Sequence, residues 1–324
     1  MKLENIYNLA SFQAFKDSAN INGATKREFS DSVGGLILAQ SLIAIDPTIL
    51  TKQLPDLTFV NSGIIVDNTG GYVEQIKSKR KLNTGGFKRA GDLSANKGKI
   101  GLAGEDNYIK VFEYEGFSNW TDSEIQRASL AGENLPSDFI SAHSELYQRF
   151  IDQAGYLGIE GNAGLLNYGF TSSSAGGLIG TLTAQQMYDA FATLITNQWN
   201  SVKNTTAYMA NRVDMPVSVF NKIAVTMMDT SAGTQSVLKA LQGNFAGVSF
   251  QGTDRAEGGN FSGGASRTVA YSNTSDSMIM RIPEPLTIGE IIKLGSFNFH
   301  VDSKFRIAGL DVLETTSGKI LTGL

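Results

Sequence analysis

Side chains with apolar or ring bodies recur at three-to-four-residue spacing most clearly at Phe139, His143, Leu146, Phe150 and Leu157. Ser141, Gln148, Arg149 and Asp152 fall around the polar side. That period predicts an amphipathic helix. It is entered at Pro136, whose missing N–H is not needed in a first turn. About 20 residues at 1.5 Å each give a helix roughly 30 Å long. The glycines at 155, 158, 161 and 164 are expected to end it.

Two more helices are marked by their starts. Thr121 with Glu124, and Thr183 with Gln186, are spaced as capping boxes, in which each side chain satisfies a free N–H of the first turn. The second box opens a run through Met187, Phe191, Leu194, Ile195, Trp199 and Val202. Shorter helices are expected from Pro216 to Ile223 and from Thr234 to Leu241, the latter ended by Gly243. Period-two alternation predicts strands at 58–66, 72–76, 108–114, near Tyr208, and at 248–250, 268–271, 278–282, 297–307 and 310–313. Ser172 to Gly177 reads as a flexible connection, and Gly252 to Ser266 as a long glycine-rich loop. Residues 1–60 look like an arm, with a short helix at 5–15 and an apolar run at 33–45. No internal repeat is present. The class is α+β.

Charge changes the picture most between residues 77 and 99. Lys77, Lys79, Arg80, Lys81, Lys88, Arg89, Lys97 and Lys99 face one acid, Asp92, a net +7 in 23 residues. The whole chain is −4, which leaves −11 on the other 301 residues. A cationic segment on an anionic body suits a polyanion or the acidic surface of another copy. Strand-like runs flank the segment, and Gly85-Gly86 lies within it, so a long two-stranded projecting loop is expected. Such a ribbon is marginal alone and should lean on a partner. Its only aromatic is Phe87, so it lacks the stacking residues of single-strand binders, and no nucleic-acid docking motif accompanies it. Contact with neighbouring copies is the favoured reading.

The residues point to no catalytic chemistry. The two histidines, His143 and His300, fall in helix and strand patterns that explain them as packed, hydrogen-bonded side chains. Gly258 to Gly264 lacks the Gly-Lys-Ser/Thr ending of a phosphate loop. Zero cysteines remove disulfides and thiolate-held metals. The apolar run at 33–45 is too short to span a bilayer. No enzyme activity, cofactor, metal or membrane partner is expected.

The order of features resembles the Hong Kong 97-type major capsid proteins of tailed bacteriophages. The order is arm, basic two-stranded loop, short capped helix, long helix, glycine turn, helical block and closing strands. The sharpest local likeness lies in Arg127-Ala128, Leu135-Pro136, the turn Gly158-Ile-Glu-Gly161 and Gly164-Leu-Leu-Asn167. Phe305-Arg-Ile-Ala-Gly-Leu-Asp-Val312 is similar to the family's closing strands. The resemblance implies an N-terminal arm at 1–60 and an extended E-loop at 61–115. It implies a peripheral domain with a spine helix at 116–180 and 286–308, and an axial domain at 181–285 and 309–324. It further implies self-assembly through hexamers and pentamers into an icosahedral shell that encloses double-stranded DNA, made in a bacterial cytoplasm. A separate scaffold or decoration protein is an expected additional partner. An encapsulin-like nanocompartment shell is the alternative with the same fold.

Overall fold

The long helix runs two residues beyond the first glycine that was expected to stop it. In the computed structural model, which describes residues 56–88, 98–230, 233–261 and 264–323, it spans Leu135–Leu157 (α2) with Pro136 in its first turn. Gly155 is therefore helical, and packing explains why it is glycine. A Cβ there would sit 2.4 Å from the ring of Phe59, which meets Tyr156 edge-on at 5.3 Å between centroids. The turn comes instead at Gly158, whose φ of 82° and crowded backbone favour glycine. Gly155→Ala improves helix propensity by about 1 kcal/mol, yet overpacking typically costs about 1–3 kcal/mol. A lower urea midpoint is therefore the expected result, and a higher one would contradict the packing argument.

Burial around α2 also departs from the simple stripe. Leu146 is 66% exposed, while Asp152 is buried. Near its C-terminal end the helix is covered by segments far away in sequence. Asp152 Oδ1 accepts the Phe59 N–H at 2.8 Å, and Oδ2 faces Arg255 Nε at 3.3 Å. Burial pushes the Asp152 carboxyl above its usual range, against those two partners. Arg255 belongs to the stretch expected as a glycine-rich loop. That stretch is folded in, with turns at Asp254–Ala256 and Gly258–Asn260 and with Ala256 and Phe261 in the core.

Both capping boxes are formed. They open Asp122–Leu130 (α1) and Ala184–Ser201 (α3). Val217–Val225 (α4) follows Pro216, and Val237–Asn244 (α5) is capped by Ser236, which accepts from the Lys239 N–H. α5 begins later than expected because Gly233–Ser236 is a strand paired with Met227–Thr230. Tyr208 lies in a turn, and the nearby strand is Arg212–Pro216.

A five-stranded sheet separates two apolar cores. Its order is 249–253, 212–216, 267–271, 318–322, 171–174. Alternation sends Val213, Met215, Ala270 and Leu321 to one face, against α3, α4 and α5. Val269, Tyr271 and Ile320 go to the other, against Tyr156, Leu165 and Leu166. Burying one such apolar side chain stabilises by about 1.5–3 kcal/mol. The expected flexible connection is here an edge strand, Thr171–Ser174, paired in parallel with Gly318–Thr322. Its serines show no apolar alternation, so the pattern hid it.

A second sheet centres on Asn298–Ile307, with Phe112–Thr121 along one edge and Glu284–Ile288 and Ile292–Leu294 sharing the other. Its inner face packs on α2 through Phe305, Tyr114, Tyr147 and Phe150. His143 bridges Ser118 and Ser303 at 2.8 Å each, a packed and hydrogen-bonded histidine as expected. A small third sheet joins Ile65–Asp67, Met278–Arg281 and Gly309–Val312. The arm up to residue 55, including its expected helix and apolar run, lies outside the described residues.

Candidate assembly interface: the cationic hairpin and its root

Gln75–Gly85 pairs antiparallel with Ile100–Lys110, so the expected two-stranded loop is present. The alternation expected through residues 108–114 is interrupted at Val111, whose N–H bonds the Glu74 carbonyl at 2.9 Å. Residues 100–110 belong to the hairpin, and 112–121 to the sheet under α2.

The strand period divides the basic residues between two faces. Ile76, Ser78 and Arg80 stand opposite Ile109, Asn107 and Glu105 on the face turned to the body. Ser78 and Ile109 are buried there. Lys77, Lys79 and Lys81 stand opposite Tyr108, Asp106 and Gly104 on the outer face, and all three lysines are exposed. Lys88 and Lys99 are exposed nearer the tip, while Arg89 and Lys97 lie outside the described residues. The eight cations thus do not act as one patch. Arg80 pairs with Glu314 of its own body, and Lys77 Nζ lies 2.5 Å from Asp106 Oδ2 and over the Tyr108 ring. Asp106 and Tyr108 together raise the Lys77 pKa above its usual value.

Charge counting missed the apolar side of this ribbon. Phe87 is 92% exposed, Leu102 77% and Ile100 59%. Large apolar groups left in water near the end of an arm mark a contact surface. The sequence signal was available, because Ile100 and Leu102 share one strand face among glycines and alanine.

His300 is hydrogen-bonded to Asn119 and Asp302 on the outer face of the second sheet. Among the described residues, no group of three or more His, Cys, Asp or Glu side chains could hold a metal ion.

A family model described as major capsid protein matches residues 99–323, more than two thirds of the chain. The chain belongs to the major capsid protein family. The capsid protein of Myoviridae phage XM1 is 43% identical, with a TM-score of 0.81 over 90% of this chain and 100% of that one. The capsid of a native GTA particle (11% identity, TM-score 0.65) covers 93% of this chain and 99% of its own. A structure from Mycobacterium phage Ogopogo (11%, TM-score 0.60) covers 88% and 98%. At such identities the last two show the fold alone. No curated protein sequence matches. The fold is the Hong Kong 97 type, and the family role is that of a structural shell protein of a tailed phage. The likeness to a phage capsid at 43% identity disfavours the encapsulin alternative.

Proposed function

We propose that this capsid protein closes into hexamers and pentamers of itself, and that its cationic hairpin braces each copy against the next. The observation that carries the reading is the outer half of the hairpin. There Lys79 and Lys81 share the ribbon with exposed Leu102 and Phe87. Cations there meet the negative surface of a neighbour, and the apolar groups leave water on contact. Each copy offers a different patch to each neighbour, and repetition of one rotation closes a ring. Many weak contacts then act together.

In this reading residues 61–115 are the E-loop, and 116–180 with 286–308 build the peripheral domain around α2. The helical layer α3–α5 is axial. Met278, Met280, Leu310 and Val312, with Ala256 and Phe261, share the core of α2, so we place them with the peripheral side rather than in the axial domain expected at 181–285 and 309–324. The completed shell encloses double-stranded DNA held without sequence preference. Assembly takes place in the bacterial cytoplasm, with a separate scaffold or decoration protein as a further partner. No catalytic step is assigned to it.

Negative-stain microscopy of the chain expressed alone tests this. Ring-shaped hexamers and pentamers or closed shells are expected, and discrete monomers under all conditions would refute it. Raising salt from about 0.1 M to 1 M shortens the Debye length from roughly 10 Å to 3 Å. Light scattering should then show slower assembly.

A further inference from the structure

Ser78 and Asn107 face each other across the hairpin, and both reach the same buried acid. Ser78 Oγ donates to Asp311 Oδ2 at 2.5 Å, and Asn107 Nδ2 donates to Oδ1 at 3.3 Å. Asp311 sits on Gly309–Val312 and is fully buried. Arg281 Nε donates to its Oδ2 at 3.2 Å and balances the charge, while the same guanidinium pairs with Asp67. A carboxylate suits this position because it only accepts, with room for several donors. An asparagine would turn an NH2 toward groups that are themselves donors.

The ladder between the two hairpin strands is satisfied by their own pairing. Side-chain bonds to the body are therefore not needed to form the ribbon; they set its direction. Residues 79–85 and 100–106 extend beyond this clamp. At about 3.4 Å per residue that reach is roughly 24 Å, so a tilt of about 10° at the root moves its end by roughly 4 Å. A displacement of that size separates an ion pair whose partners must lie within about 4 Å.

We propose that Asp311, acting through Ser78 and Asn107, is the positioning residue that aims the hairpin at the neighbouring subunit and thereby sets shell curvature. This rests on the hairpin being an intersubunit brace. Two copies with a well-aimed contact meet within a narrow range of angles that still admits both hexamers and pentamers, and a narrow range gives one closed size. A loosely aimed contact gives several.

The test is the double variant Ser78→Ala/Asn107→Ala, which removes both hairpin-side donors to Asp311 and leaves the Asp311–Arg281 pair and the separate Arg80–Glu314 tie in place. The chain has no cysteine, so spin labels can be placed through Lys81→Cys on the hairpin and Gln153→Cys on α2. Distance distributions are measured on unassembled subunits. The expected result is a distribution at least twice as wide as in the labelled parent, with the subunit still melting in one cooperative transition, lowered because buried Asp311 loses two donors. Shells from the unlabelled double variant should be of mixed diameter or remain open. An unbroadened distribution overturns the clamp. A broadened one with a single parental diameter overturns the aiming role. The brace itself is tested separately by charge reversal at Lys79 and Lys81, so the two ideas can fail independently.

Discussion

Asp214→Ala is expected to lower subunit stability by about 3–5 kcal/mol, the cost of stranding a buried charge. The melting temperature should fall by on the order of 10 °C for a body of this size. Asp214 is fully buried on the central sheet. Its Oδ2 accepts from the hydroxyls of Tyr156 at 2.9 Å and Tyr271 at 2.7 Å, and its Oδ1 from Arg212 Nε at 2.9 Å. Arg212 also donates to the Asn61 carbonyl at 3.2 Å and to Gln251. One carboxylate thus ties α2, two strands and residues 58–61 together. Without it the Arg212 guanidinium keeps only neutral partners, and two buried hydroxyls lose their acceptor.

The ion pair is not a simple source of stability. Burial raises the Asp214 pKa above the usual carboxylate value, and attraction to Arg212 opposes that rise without cancelling it. The folded state therefore holds its proton to higher pH than the unfolded chain. Stability declines as pH rises from about 3.8 through the folded value. Burial and the Asp214 charge push both tyrosines well above 10, so they remain donors. Adding Arg212→Met to Asp214→Ala removes the stranded charge. The double variant should be more stable than the sum of the single losses predicts. Calorimetry on unassembled subunits decides this, because assembly would mask the loss by mass action. Strict additivity would show that the stranded guanidinium is not the cause.

What could be read from the chain alone was local. The boxes at Thr121–Glu124 and Thr183–Gln186 are closed by residues three apart, and both are formed. The period of α2 is equally local, and so is the hairpin. The groups that orient these elements are not. Asp311 is 233 residues from Ser78, Tyr271 is 57 from Asp214, and Phe59 is 93 from the Asp152 it bonds. A buried acid carries no sequence mark that separates it from a solvated one, so the helical period alone puts Asp152 on the polar side of α2. Thr171–Ser174 has no apolar period to read, because an edge strand needs no apolar face. The division of Lys77, Lys79 and Lys81 from Arg80 was visible in the period of two, but counting charge by segment blurred it.

Lys79→Glu with Lys81→Glu is expected to abolish shell formation at about 0.1 M salt while leaving the subunit folded. Both side chains are exposed on the outer face of the hairpin. Surface changes of this kind usually stay within about 0.5 kcal/mol, so melting should barely move. The formal charge, however, goes from −4 to −8, and each altered position now repels an acidic neighbour. Like charges brought together at an interface cost several kcal/mol, repeated at every contact around a ring. Lys77 is left alone because its ammonium is already paired with Asp106. Lys79→Glu also sets an acid opposite Asp106 across the ladder, a cross-strand cost of about 0.2–1 kcal/mol that the melting measurement reads. Replacing the same two lysines with glutamine removes attraction without adding repulsion, and should weaken assembly less. High salt should rescue the reversed variant in part, since screening shortens the range of the repulsion. Size-exclusion chromatography and electron microscopy at several salt concentrations give the readout. Shells of normal yield that merely hold DNA less firmly would transfer these lysines from the subunit contact to the packaged genome. Unassembled but folded subunits, recovered toward shells by salt, are the result the brace requires.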